Sequence, residues 1–278
     1  MDVAILQFFE TIRTPVLTAI LGAFSLLGEA AVLAGIVILV FWLAPRRVGE
    51  QALVAVLSGY CLNSFIKYKV ARPRPYVDGA VQKLDPPLSA ALDEYASFPS
   101  GHTQMTTGFF ATLAERSKDV FAWISCAIII LLVAVARMYF GVHYPTDVLA
   151  GLGLGLVIAA LWALVYRFFY STRYFFMLGF ALLALLPLPF RPAHDYVQAA
   201  GLFAGAATAL TLLHFTATHS RANFPRRLWR IPVGIALLAA TFAFTLFFPE
   251  GDAFSLIRWF LLAFIGVLGQ LVFERLQI

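Results

Sequence analysis

Residues 151–166 read GLGLGLVIAALWALVY, and residues 31–44 read AVLAGIVILVFWLA. A helix that is hydrophobic on all sides lies either in the core of a large protein or in lipid. Hydrophobic residues make up 61% of the 278-residue chain and charged residues only 13%, too few to cover the surface of a soluble core. Strands of a membrane β-barrel would alternate polar and apolar residues, so these runs predict an all-α, polytopic membrane helical bundle.

The apolar runs are numerous enough for nine membrane spans, since a helix needs about 20 residues to cross about 30 Å of hydrocarbon. The predicted spans are 29–44, 50–66, 102–115, 120–139, 145–167, 173–190, 196–216, 230–248 and 253–273. Gly151, Gly153 and Gly155 are expected to let their span pack closely against a neighbour. Cys61 and Cys126 lie within apolar segments, where we expect no redox role.

Residues 3–27 form a less apolar segment. Gln7, Glu10 and Arg13 fall at a helical spacing that leaves a polar stripe, and Pro15 interrupts the pattern. This segment is predicted to be an interfacial helix, with a tenth span as the alternative. It lacks the basic n-region of a signal peptide, so we expect it to be retained.

Basic residues in the loops predict the orientation, because Lys and Arg near span ends accumulate on the cytoplasmic side. Alternate loops carry most of them: Arg46, Arg47, Arg116, Lys118, Arg167, Arg173, Arg221, Arg226, Arg227, Arg230 and Arg275. The other loops are predicted to face outward, and basic residues in two of them, 67–101 and 137–144, therefore mark a site. No nucleic-acid partner is expected, since no basic run with interleaved aromatic residues occurs.

Three clusters fall on the predicted outer side. They are KYKVARPRP at 67–75, FPSGH at 98–102 and ARMYFGVHYPTD at 136–147. Among their residues are cations, two histidines that exchange protons near neutral pH, and one carboxylate: Lys67, Arg72, Arg74, Arg137, His102, His143 and Asp147. Guanidinium groups bind phosphate oxygens in pairs, so this set predicts a phosphate substrate.

The spacing of the polar residues suggests roles. Asp147 follows His143 after one tight turn, so its carboxylate is predicted to accept the Nδ1–H of the imidazole and leave Nε2 to attack phosphorus. His102 is then placed to protonate the leaving oxygen. Ser100 and Gly101 are predicted at a helix N-terminus, where unpaired backbone N–H groups bind phosphate oxygens.

These segments resemble the three ordered motifs of the lipid phosphate phosphatase family, also called phosphatidic acid phosphatase type 2. The matching residues are Lys67-x6-Arg74-Pro75, Pro99-Ser100-Gly101-His102 and Arg137-x5-His143-x3-Asp147. The resemblance implies a helical core and metal-independent hydrolysis through a phosphohistidine, with no cofactor. It implies His143 as the nucleophile, Asp147 as its partner and His102 as the general acid. It also implies a phosphate-binding set of Lys67, Arg74, Ser100, Gly101 and Arg137.

The resemblance has one departure and a limited extent. The third motif of the family usually begins Ser-Arg, whereas Ala136 precedes Arg137 here, which predicts weaker phosphate binding at most. The resemblance covers residues 1 to about 170. We therefore predict a phosphatase-like membrane core at 1–172 and about four additional transmembrane helices of unassigned role at 173–278.

The expected function is hydrolysis of a lipid phosphate monoester or diphosphate in the same bilayer. Candidate substrates are polyprenyl diphosphate, phosphatidylglycerophosphate, phosphatidate and sphingoid phosphate, and the sequence does not choose among them. The alternatives are phosphoryl transfer between lipids and a lipid-phosphate binding or transport role, the latter suggested by Glu29 and Gln270 within apolar segments. A bacterial inner membrane is expected, with the site on the periplasmic side.

Several other residues receive more ordinary roles. Zinc ligation by the two histidines and the aspartate is disfavoured by the surrounding positive charge. Arg72 and Lys69 are predicted to be interfacial anchors, and His194, His214 and His219 to be structural. The Pro-rich loop 68–98 is too polar to lie in lipid and is predicted to cover or flank the site.

Overall fold

A computed structural model of the chain describes residues 2–84, 96–190, 192–216 and 224–278. Within these ranges all the regular elements are helices, which confirms the predicted all-α class. The elements are α1 (Asp2–Thr11), α2 (Pro15–Leu26), α3 (Ala30–Leu43), α4 (Arg46–Val70), α5 (Gly101–Ser117), α6 (Val120–Tyr139), α7 (Pro145–Phe168), α8 (Arg173–Leu185), a 3₁₀ turn (Leu188–Phe190), α9 (His194–Thr216), α10 (Phe224–Arg227), α11 (Arg230–Thr245) and α12 (Asp252–Arg275).

The helices long and apolar enough to cross a membrane number six among the described residues. A seventh span results if α2 and α3, which bend by 50° at their junction, count together. The chain is therefore a multi-pass membrane protein. Each of the nine predicted spans coincides with a helix, but α3 by itself, α4 and α5 are not among the six. Most of α5 is buried, so its polar side chains face protein.

The N-terminal segment is broken into two helices. Pro15, which interrupts the sequence pattern, is the first residue of α2, where the missing N–H leaves no hydrogen bond unmade. Thr14 caps this helix by accepting a hydrogen bond from the N–H of Leu17. Because α2 continues into α3 through a bend, residues 3–27 match neither a single interfacial helix nor a straight tenth span.

The chain folds into two compact units that interleave along the sequence. Unit 1 contains Met1–Ile36 and Leu62–Leu161, and unit 2 contains Val37–Cys61 and Trp162–Ile278. These units are divided differently from the predicted segments 1–172 and 173–278. That functional division remains a prediction.

Unit 1 is organised around α5, which packs against α6. Gly151 and Gly155 bring α7 against α5, since a Cβ at these positions would lie 2.6 Å from the carbonyl oxygens of Ser100 and Gln104 respectively. Close packing by the small residues of α7 is thus confirmed for these two glycines. Gly153 has open space beside its Cα, so it has no such role.

Unit 2 is organised around α9, which packs against α8 and α12. Gly201 and Gly205 allow this contact, because a Cβ there would lie 2.6 Å from the carbonyl oxygen of Leu256 and 2.2 Å from that of Phe260. Near the start of α4, the buried Glu50 carboxylate binds two arginines, Arg46 and Arg173. This ion-pair cluster is the main buried charge of unit 2.

Candidate active site

The first turn of α5 presents backbone N–H groups at one edge of the site. Ser100 caps the helix as predicted: its backbone adopts an extended conformation and its Oγ accepts a hydrogen bond from the N–H of Thr103 at 3.4 Å. Gly101 begins the helix, and a Cβ there would lie 3.2 Å from Oδ1 of Asn63. The first N–H groups of a helix have no intrahelical acceptor, so this turn can hold an anion.

The predicted nucleophile, His143, lies in the segment between α6 and α7 and is only 1% exposed. Neither its Nδ1 nor its Nε2 atom has a hydrogen-bond partner among the described residues. Burial, followed by the positive charges of Arg74, Arg137 and Lys67, holds the pKa of His143 well below its usual range. A buried imidazole that is neutral and has an unpartnered nitrogen is suited to attack an electrophile.

The predicted phosphate ligands are brought together around this imidazole. Lys67, Arg74 and Arg137 are 7%, 4% and 6% exposed, although each carries a charge. Arg74 donates a hydrogen bond to the carbonyl oxygen of Val142 at 3.0 Å, next to His143 in the chain. A phosphate group bound among these side chains would interact favourably with their positive charges.

Asp147 is near His143 but is engaged elsewhere. Its Oδ2 lies 3.8 Å from Nδ1 of His143, too far for a hydrogen bond, and instead accepts the N–H of Tyr144 at 2.8 Å. Its Oδ1 accepts a hydrogen bond from Arg72 at 2.8 Å. The predicted hydrogen bond between the two site residues is therefore not formed in this structure. Catalytic hydrogen bonds are often long without substrate and shorten in the complex.

Arg72, predicted to be an interfacial anchor, is part of this arrangement. Its guanidinium lies over the Tyr144 ring, 3.9 Å from the centroid, and donates to the hydroxyl of Thr146 at 2.8 Å. It also lies 3.6 Å from a carboxylate oxygen of Asp2 in α1. Arg72 thus holds the start of α7, including Asp147, in place. Its predicted place at the membrane interface stays a prediction.

His102, the predicted general acid, has an acidic neighbour that the sequence analysis did not assign to the site. Its Nε2 lies 3.2 Å from Oε2 of Glu29, at the junction of α2 and α3. Gly28 makes this approach possible, because a Cβ there would lie 2.9 Å from Cβ of His102. The position of Glu29 within an apolar segment was the signal, but it was interpreted as a possible transport path.

Ala136, where the family usually has serine, is completely buried in an apolar cluster. The cluster contains Leu21, Tyr139, Phe140 and Val142. The adjacent Arg137 receives a hydroxyl contact from another helix: it donates to Oγ of Ser25 in α2 at 2.8 Å. A side chain of α2 therefore contacts the guanidinium of Arg137, a predicted phosphate ligand, although Ala136 has no hydroxyl.

Two of the remaining histidines contact other residues of unit 2. His194 is exposed and lies 3.6 Å from Asp252, whereas His214 packs its ring 4.4 Å from that of Tyr174. His219 lies outside the described residues, as do residues 85–95 of the predicted covering loop. In the part of the chain that the structure describes, no three His, Cys, Asp or Glu side chains gather as a metal site.

Comparison with known proteins agrees with this geometry. The model of the PAP2 superfamily matches residues 50–173, which include all eight predicted site residues. An undecaprenyl-diphosphatase of Bacillus subtilis is 31% identical over 138 residues, which cover 48% of this chain and 68% of that protein. The chain belongs to the PAP2 superfamily.

Other relatives of this PAP2 protein are also phosphatases. A lipid A 1-phosphatase of Rhizobium etli is 34% identical over 122 residues, covering 43% of this chain and 50% of that protein. The match thus spans about half the length of that relative. The crystal structure of a PAP2-type phosphatidylglycerolphosphate phosphatase from Bacillus subtilis is 26% identical, covers 58% of this chain and 82% of that chain, and has a TM-score of 0.49.

Proposed function

We propose that this PAP2 protein hydrolyses a lipid phosphate monoester or diphosphate through a phosphohistidine intermediate, without a metal ion. The observation that carries the proposal is the environment of His143. Its two buried ring nitrogens lack partners among the described residues, and three buried cations lie close enough to lower its pKa. A phosphate group would compensate those cations and place phosphorus beside the imidazole.

The two histidines have different roles in the proposed reaction. Nε2 of His143 attacks phosphorus while the bond to the leaving oxygen breaks, and His102 donates a proton to that oxygen. A water molecule then attacks the phosphohistidine, the P–N bond breaks, and His102 takes the proton of the water. Lys67, Arg74, Arg137 and the N–H groups at the start of α5 stabilise the charge on the equatorial oxygens. Asp147 orients His143 and stabilises its cationic form.

The substrate class follows from the relatives and from the membrane setting. The relatives carry the names of phosphatases for lipid A, undecaprenyl diphosphate and phosphatidylglycerophosphate. All three substrates join a phosphate to a membrane anchor, and we propose the same class for this chain. The charge asymmetry of the loops favours a bacterial inner membrane with the site on its periplasmic side.

The test is phosphate release by detergent-purified protein in EDTA. The panel contains phosphatidate, phosphatidylglycerophosphate, undecaprenyl diphosphate and sphingosine phosphate, with His143→Ala as the inactive variant. The expected result is release by the wild type and loss of at least about 10⁴-fold in the variant, because the nucleophile is gone. His194→Ala removes an exposed histidine and is the matched control, with activity expected to be unchanged.

Other outcomes would overturn parts of the proposal. Full activity in His143→Ala would remove His143 as the nucleophile, and activity only without EDTA would assign a metal-dependent reaction. Phosphate recovered on a second lipid rather than in solution would assign phosphoryl transfer, because an alcohol can attack a phosphohistidine as water does. No reaction of any lipid, with retained binding, would favour a transport role. His102→Ala is expected to slow phosphoenzyme formation but to retain measurable turnover.

A further inference from the structure

The corner between α2 and α3 contacts the site at three points, although it precedes the segment that matches the PAP2 model. Ser25 accepts a hydrogen bond from Arg137 at 2.8 Å. Gly28 lies against the Cβ of His102, with no room for a side chain. Glu29 places Oε2 3.2 Å from Nε2 of His102. One short stretch thus contacts both a phosphate ligand and the proton donor.

We propose that Glu29 is a positioning residue for His102: its carboxylate accepts the Nε2–H of the imidazolium and so fixes the proton donor for the leaving oxygen. This inference rests on the proposed phosphatase reaction. An imidazolium carries two N–H groups, and a carboxylate that binds one of them orients the ring and stabilises its positive charge. The two side chains are 14% and 11% exposed, so water screens this interaction little.

The assignment defines the proton path. Before the first step His102 carries protons on both nitrogens, and Glu29 holds the one on Nε2. In the first step, Nε2 of His143 forms a bond to phosphorus while the bond from phosphorus to the leaving oxygen breaks. The proton on Nδ1 of His102 passes to that leaving oxygen. In the second step Nδ1 takes a proton from the attacking water as the P–N bond breaks. Glu29 stays ionised throughout, so the cycle returns every group to its starting state.

The charges near the two histidines favour a carboxylate beside His102. His102 and the cations Lys67, Arg74 and Arg137 all act on His143, and each of them disfavours another positive charge there. A carboxylate in contact with His102 stabilises an imidazolium in this setting. Glu29 makes this contact, whereas Asp147 binds Arg72 and the N–H of Tyr144.

Glu29 also lies at the start of α3, where an acidic side chain would stabilise the helix dipole whatever its role in the site. The experiment must therefore separate catalysis from folding. Glu29→Gln keeps the shape and removes the charge, and Glu29→Asp keeps the charge with a shorter reach. Glu115→Gln removes a partly exposed carboxylate from the far end of α5 and is the matched control.

The decisive measurement is a double-mutant cycle of Glu29→Gln and His102→Ala with phosphatidate in mixed micelles. Glu29→Gln alone is expected to lower kcat about 10- to 100-fold with little change in KM, because proton donation typically contributes about 10²- to 10⁴-fold. In the His102→Ala background the same substitution is expected to have almost no effect, since its partner is absent. Glu29→Asp is expected to recover part of the lost kcat.

The outcomes separate the two hypotheses. Equal losses in both backgrounds, or a loss that appears only as a lower folded fraction in thermal unfolding, would overturn the role of Glu29 and leave the phosphatase in place. Absence of phosphate release by the wild type would instead overturn the proposed function. A second readout is the kcat with p-nitrophenyl phosphate, a substrate whose leaving group needs no proton. Glu29→Gln is expected to lower this kcat less than about threefold. A loss as large as the one with phosphatidate contradicts the assignment.

Discussion

Both units bury a charged or titratable group beside arginines, but the hydrogen bonding of that group differs between them. In unit 2, Oε1 of Glu50 accepts a hydrogen bond from Arg46 at 2.6 Å. Its Oε2 accepts from the guanidinium of Arg173 at 2.9 Å and from the hydroxyl of Tyr166 at 3.3 Å. In unit 1, His143 is equally buried and close to cations, yet both its ring nitrogens lack a partner among the described residues.

The difference separates a structural cluster from the one that we propose to be reactive. Buried polar groups in folded proteins are almost always hydrogen-bonded, because leaving one unpaired costs about 1–3 kcal/mol. Glu50 follows this rule and stabilises the start of α4. His143 violates it, and the unmet hydrogen-bonding capacity is what a phosphate substrate would satisfy. The presence of buried arginines alone would not have separated the two clusters.

The largest effect that would test this comparison concerns Asp147. Asp147→Asn is expected to lower kcat by about 10²- to 10⁴-fold, because the amide can neither orient Nδ1–H of His143 as a carboxylate does nor stabilise the imidazolium. Steady-state kinetics with the best lipid substrate measures this loss. Arg72→Gln is the control, since it releases Asp147 from its ion pair but keeps the carboxylate, and we expect a smaller loss. Activity of Asp147→Asn within tenfold of wild type would make Asp147 a structural residue only.

The next effect concerns stability in unit 2. Glu50→Gln is expected to lower the free energy of unfolding by about 3–5 kcal/mol, because it leaves two buried or partly buried arginines without their carboxylate. Thermal unfolding in detergent measures the change, and the kcat of the molecules that remain folded is expected to be unchanged. If unfolding were unaffected while kcat fell, Glu50 would belong to the functional machinery and the contrast between the units would fail.

The smallest expected effect is that the imidazole of His143 does not titrate near neutral pH. The pKa of His143 is lowered by burial and by nearby positive charges, so the ring takes up a proton only at a pH more acidic than the ordinary value of about 6.5. In NMR spectra of histidine-labelled protein without substrate, the His143 signals, assigned with His143→Asn, are expected to stay at the neutral position between about pH 6.5 and 8. A midpoint inside that range would show that the pocket does not keep the imidazole neutral.

The sequence predicted the helices well, because helices depend on short spacings of apolar residues and on local caps. Runs of apolar residues placed each span on a helix, and Ser100 was identified correctly as the cap of α5. Six of the described helices are long and apolar enough to cross a membrane, and a seventh span results if α2 and α3 count together, so the prediction of nine spans stays a prediction.

The contacts of the candidate site were less predictable. His143 and Asp147 were correctly placed near each other because four residues separate them, but the hydrogen bond was not predicted correctly. Arg72, 75 residues before Asp147, binds that carboxylate instead. Which side chain binds the carboxylate of Asp147 depends on which ones reach its oxygens in the folded protein. The spacing of residues within one motif contains no information on this.

The sequence by itself determined an all-α membrane protein and predicted a phosphate-binding set of cations with two histidines, since composition and local spacing specify the helices and the motifs. Only the tertiary structure decided what completes the site. Glu29 reaches His102 across 73 residues, and Ser25 reaches Arg137 across 112. Both contacts exist because α2 packs against α6 and its junction with α3 lies against α5. Packing of helices that are distant in sequence, rather than any local pattern, brings these side chains to the histidine and the arginine.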